Sequence, residues 1–150
     1  MTESVIDQMN SRMATTIPAA HQMGVRAAES RRGFAAATVP VEGNGNHFGV
    51  VYAGVVFTVA EILGGMLALS SFDATRFFPL VKGVDIRFLG MATTDLRAEA
   101  SLDEDTIVAV QAEADEKGKA DYIVEAVVTD AGGNVVAKTH GQYQIRRHPS

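Results

Sequence analysis

The sequence predicts an α+β domain in which an antiparallel sheet wraps around one long apolar helix, with a short helix at the N-terminus. Three observations predict this. Between His47 and Asp73 lie twenty-five residues, FGVVYAGVVFTVAEILGGMLALSSF, that carry one charge, Glu61. From Lys82 onward the apolar period changes to two, the signature of half-buried strands. A helix with no polar face needs cover on every side, and the apolar face of an antiparallel sheet supplies it.

The elements follow in order. Over residues 3–16, Val5, Ile6, Met9 and Met13 recur at helical spacing, with Asp7, Asn10 and Arg12 elsewhere, predicting an amphipathic surface helix that ends before Pro18. Val25–Glu29 and Phe34–Val41 read as short strands joined at Arg31-Arg32-Gly33, and Gly43-Asn44-Gly45-Asn46 as a loop. The long helix is expected over Tyr52–Ser70. Alternation then predicts strands at Val84–Phe88, Leu96–Ala100, Val108–Ala114, Tyr122–Val128 and Ala137–Ile145. Asp103-Glu104-Asp105, Lys117-Gly118 and Gly132-Gly133 are expected to be the turns of a meander.

At 150 residues the chain fits a single domain, residues 1–150, without repeats or low-complexity linkers. With 47% apolar and 21% charged residues, a net charge of −5 and a pI near 5.3, it lacks the basic balance of nucleic-acid binders. The absence of cysteine excludes thiol nucleophiles, zinc–thiolate sites and disulfides. The N-terminal segment holds Glu3 and Asp7 and no continuous apolar core, unlike a signal peptide, so a cytoplasmic location is expected. Val50–Leu69 has the length of a membrane span. Its glycines, its central Glu61 and the lack of flanking basic clusters favour a core helix instead.

Helical spacing sorts the long segment into two faces. Val55, Val59, Ile62, Met66 and Leu69 are bulky, whereas Gly54, Thr58, Gly65 and Ala68 around Glu61 are small and leave space beside the acid. A lone carboxylate in such surroundings has dedicated donors, a raised pKa or a chemical role. Glycine costs about 1 kcal/mol against alanine in a helix interior, so something should offset Gly64-Gly65. At the helix start, Ala53 and Gly54 present N–H groups and the positive end of the dipole, a place for an oxyanion. His21, His47, His140 and His148 show no ligand spacing, and no metal site is expected. Dinucleotide, P-loop and serine-elbow motifs are likewise missing.

The run Asn46-His47-Phe48-Gly49-Val50-Val51-Tyr52-Ala53-Gly54 followed by VVFTVAEILGG resembles the hotdog-fold acyl-CoA thioesterases. The groups concerned are the phenylacetate-pathway (PaaI-like) and 4-hydroxybenzoyl-CoA enzymes and the DUF4442 proteins beside them. Asn46, Gly49, Gly54 and Glu61 match the PaaI-like pattern, and the segment Val84–Leu89 resembles the strand after the helix. Tyr52 stands where that pattern has His and Ala53 where it has the first Gly, which looks more like the DUF4442 form.

The resemblance implies a hotdog fold and hydrolysis of an acyl-CoA thioester, with CoA only as part of the substrate and no cofactor. Glu61 would be general base or nucleophile, and the Ala53 and Gly54 amides the oxyanion site. Asn46, or His47 as an alternative, would orient water or the carbonyl. Gly49, Tyr52, Thr58 and Gly65 would shape the substrate site. Arg87 would meet CoA phosphates, with Arg76, Lys82, Arg146 and Arg147 as further candidate cations. Hotdog domains pair through their sheets, so a homodimer or homotetramer is expected. A non-catalytic acyl-CoA or fatty-acyl binding module is the alternative. A hydratase would need an Asp–His pair.

Overall fold

The computed structural model describes residues 3–150. Helix α1 (Val5–Thr16) is capped by Ser4, whose side chain accepts from the Asp7 N–H at 3.1 Å. It ends as expected, but Pro18 does not stop helical structure. It occupies the first position of a second short helix, α2 (Pro18–Met23), where its missing N–H has no intrahelical partner to lose. Gly24 closes α2 at φ 90°, and Pro40 lies 2.7 Å from where a Cβ would stand, so only glycine fits this corner.

Strands β1 (Arg26–Arg31) and β2 (Phe34–Val39) form the expected hairpin. The long helix α3 (Ala53–Ser71) follows, then β3 (Phe77–Phe88) and β4 (Leu96–Ser101). The next segment differs from expectation: Val108–Ala114 is no strand but part of helix α4 (Glu104–Lys117). The acids read as a turn are its N-terminus, with Asp103 accepting from the Thr106 N–H at 2.7 Å, and Gly118 is its left-handed C-cap rather than a hairpin residue. Ile107, Val110 and Ala114 are buried at spacings of three and four, while Val108 lies exposed. Strands β5 (Lys119–Thr129) and β6 (Val135–Arg147) complete the chain as a hairpin turning at Gly132-Gly133.

The six strands form one antiparallel sheet in the order β1-β2-β4-β5-β6-β3. This is not a simple meander, because β3 leaves α3, runs to the far edge and pairs with β6. The sheet wraps around α3 as expected of a hotdog fold. Alternate residues of β5, Ala120, Tyr122, Val124, Ala126 and Val128, face the core, where Leu63, Leu67 and Val59 of α3 are fully buried. Burying each such aliphatic side chain contributes roughly 1.5–3 kcal/mol. Among the described residues α3 is the one helix long and apolar enough to cross a membrane. With the sheet packed around it, it is a core helix and not a span.

The sheet leaves one stripe of α3 uncovered: Gly54, Thr58, Glu61 and Gly65 are half-buried, and Leu69 is 53% exposed. The expected small face is therefore the open face, except that Leu69 joins it while Ala68 is buried. Helix α1 lies across the C-terminal half of this opening. It is tied to β1 by Asn10, which donates to the Ala27 carbonyl at 3.1 Å and accepts from the Ala27 N–H at 2.7 Å.

Candidate functional site

Glu61 sits midway along the open stripe. Among the described residues no backbone amide or side chain hydrogen-bonds its carboxylate, so of the three expectations for such an acid, dedicated donors are the one not met within the chain. Burial raises its pKa above the ordinary carboxylate value. Its backbone is held from below: the Tyr143 hydroxyl donates to the Glu61 carbonyl at 2.9 Å, and the Tyr122 hydroxyl to the Gly64 carbonyl at 2.8 Å. Burial, reinforced by the nearby Glu61 carboxylate, pushes both phenols well above their usual range, so both are protonated donors.

These tyrosines explain one of the two helix glycines. The Tyr143 ring lies so close to α3 that a Cβ on Gly64 would stand 2.0 Å from it. Gly65 faces the open side instead, where a Cβ would have only Pro79 at 3.9 Å. Sequence patterning places Tyr122 and Tyr143 on inward strand positions without assigning them a task. The available signal is that a buried phenol needs a hydrogen-bond partner.

The segment before the helix is built by its own backbone. Asn44, within the expected loop, is buried and donates through Nδ2 to the carbonyls of Met23 (2.7 Å) and Pro40 (2.8 Å). Its carbonyl accepts from the Tyr52 N–H at 2.8 Å. Asn46 accepts on Oδ1 from Phe48 and Val50 N–H groups at 2.8 and 3.3 Å, so the side chain folds the loop. Gly49 turns the same loop at φ 78°. His47 lies against Phe48 on the exposed tip, with ring centroids 3.9 Å apart and planes tilted by 42°.

Tyr52 is the N-cap of α3. Its exposed ring rests on Gly54, where a Cβ would stand 2.5 Å from Cε2. The N–H groups of Ala53 and Gly54 have no acceptor among the described residues, as expected for a first helical turn. Thr58 spends its hydroxyl on the Gly54 carbonyl at 2.7 Å.

Gly54, Thr58, Glu61 and Gly65 thus share one open face, with Tyr52 and Ala53 at its head. Within one chain, however, the Ala53 and Gly54 amides and Glu61 are seven or eight residues apart, about 10–12 Å along the axis. A glutamate leaning toward the N-terminus shortens this gap but does not close it to one carbonyl group.

Arg87 is not brought to this face. It pairs with Lys138 on the outer side of the sheet and meets Asp85 at 3.6 Å. The other candidate cations are occupied: Arg76 by Asp73 and Asp115, Lys82 by Asp121, Arg146 by Gln144 and Arg147 by the Asp115 carbonyl. Among the described residues no group of three or more histidine or carboxylate side chains could hold a metal ion.

A family model described as a domain of unknown function (DUF4442) matches residues 7–145. No curated protein matches the chain. Among solved structures, a Pseudomonas aeruginosa protein of unknown function, described as a probable thioesterase, is 41% identical. The match covers 94% of this chain and 95% of that one, with a TM-score of 0.86. A thioesterase from Haemophilus influenzae is 12% identical over 97% of this chain and 93% of that one, with a TM-score of 0.76. A variant of a Staphylococcus aureus thioesterase is 14% identical over 86% and 98%, with a TM-score of 0.72. The last two share the fold.

Proposed function

The chain belongs to the DUF4442 family, and from that premise we propose that it hydrolyses acyl-CoA thioesters with Glu61 as the catalytic carboxylate. The observation that carries the reading is Glu61 itself: a half-buried acid with a raised pKa, no partner among the described residues, and an open face of small residues beside it. The 41% identical relative described as a probable thioesterase supports the reaction class.

As general base, Glu61 takes a proton from water while the water oxygen adds to the thioester carbonyl carbon. The negative charge formed on the carbonyl oxygen is met by the first-turn amides of Ala53 and Gly54. Collapse of the tetrahedral intermediate breaks the C–S bond, and the thiolate leaves without a strong acid because a thiol has a pKa of about 8.5. As nucleophile, Glu61 would form an anhydride that water then opens. Both routes require the carboxylate and the amides at one carbonyl.

The separation along α3 decides how that happens. A two-fold partner whose α3 runs antiparallel sets Glu61 of the partner subunit beside this chain's Ala53 and Gly54, and the reverse. Strand β3 is a long edge bearing exposed Leu80, Val81 and Phe88, and it offers the surface for joining two sheets. The functional unit in this proposal is at least a homodimer, with Tyr52 and Asn46 shaping the entrance and the small residues Thr58 and Gly65 flanking the acid.

Thiol release from short, medium, long and aromatic acyl-CoAs tests the reading. Glu61→Gln should lower kcat by about 100-fold or more with the fold intact. Binding without turnover by the wild type would favour the acyl-CoA binding module. Equal turnover in the variant would remove Glu61 from the chemistry.

A further inference from the structure

Beneath α1 lies a cavity of about 570 Å³, within the size range of small-molecule pockets. Its floor is α3 beyond Glu61, where the open Gly65 and Leu69 are flanked by the buried Ile62 and Met66; its roof is α1, with Val5, Met9 and Met13. Pro79 and Ala27, on β3 and β1 at the two sheet edges, form the sides. We propose that this cavity receives the acyl chain of the substrate, and that the chain is an unbranched aliphatic one of medium length. The assignment rests on the thioesterase reading and names the substrate class for that site.

Position, dimensions and lining support it. Gly65 and Leu69 follow Glu61 at one and two helical turns, so a chain whose carbonyl lies at Glu61 runs directly under α1. Eight residues of helix span about 12 Å, the length of an extended chain of about eight to ten carbons. Gly65 keeps the passage open, since nothing nearer than Pro79 faces it. Met9, Met13 and Met66 line the cavity, and their flexible, polarizable thioethers adapt to the changing conformations of an alkyl chain.

Val5 (62% exposed), Ile17 (45%) and Leu69 (53%) converge on the same opening, a cluster of solvent-facing apolar side chains that an alkyl chain would cover. The roof is fixed rather than loose, because Asn10 clamps α1 to the Ala27 backbone.

Calorimetry with stable thioethers, S-ethyl-CoA and S-decyl-CoA, separates the chain from the CoA moiety without requiring turnover. The wild type should bind the decyl compound at least tenfold more tightly. Leu69→Asp and Val5→Asp, both at exposed positions, should remove that preference while leaving S-ethyl-CoA affinity unchanged. A preference that survives both substitutions, or none in the wild type, overturns the assignment.

Light scattering on the same variants exposes a competing occupant: loss of the oligomer with unchanged chain preference would mean that a second copy covers the groove, which also overturns it. Decanoate is titrated alongside. Its uptake by the wild type but not the variants, with neither thioether bound, would keep the groove and reject the thioester reading. Failure of decanoate and both thioethers to bind would reject the groove as well.

Discussion

Glu61 combines two properties that a solubilising acid lacks: burial that raises its pKa, and no donor among the described residues to stabilise its ionised form. Each has a measurable consequence. A general base works ionised, so turnover should fall as pH drops through the raised pKa, with the acid limb lying above the ordinary glutamate value of about 4.3. Stability responds in the opposite sense. The folded state holds the Glu61 proton more tightly than the unfolded chain, so stability is lost as pH rises from the unfolded to the folded pKa. Glu61→Gln should therefore melt above the wild type at neutral pH, with the gap closing in acid below about pH 4. A variant melting below the wild type at neutral pH would mean that the carboxylate has stabilising partners after all. Asn46 and Tyr143 act at this scale through others: one folds the loop ahead of the helix, and the other fixes the Glu61 carbonyl.

The central helix is where patterning and packing meet, and its paired glycines have opposite roles. Gly64→Ala drives a methyl group into the Tyr143 ring and should destabilise by about 1–3 kcal/mol, whereas Gly65→Ala meets open space and should gain up to about 1 kcal/mol of helix propensity. Denaturant midpoints of the two variants read the contrast, and equal effects would contradict the packing described. Helix α3 and the strands from β4 onward are legible in the sequence because burial on all sides and burial on one side leave different periods. So is Glu61, as the only charge in an apolar run. Helix α4 is not, since Val108, Val110, Ala112 and Ala114 satisfy a strand template, while Ile107, Val110 and Ala114 satisfy a helical one. Cap chemistry at Asp103 and Gly118 decides between them. Pro18 marks the end of α1 as expected, whereas α2, which the same proline begins, carries too short a pattern to be legible. The roles of Tyr122 and Tyr143 escape sequence reading because they depend on strand–helix contacts across 58 and 82 positions.

At the scale of the whole molecule, a half-open sheet leaves the acid and the helix-start amides on one face but too far apart to serve one carbonyl within a chain. Hydrolysis as proposed therefore needs sites shared between two copies. Ala53→Pro deletes one amide at the first helical position, where proline is tolerated, and Tyr52 before it already has a compatible extended ψ of 136°. Alone it should lower kcat by about 100-fold, as loss of an oxyanion donor does. Mixing Ala53→Pro with Glu61→Gln after co-refolding is the most direct test. Half of a statistical mixture is mixed dimer holding one intact site, so thiol release should recover to about a quarter of wild type, although each parent is nearly inactive. Mixed dimers that form but remain as inactive as their parents would contradict a site built from Glu61 of one subunit and the helix start of the other.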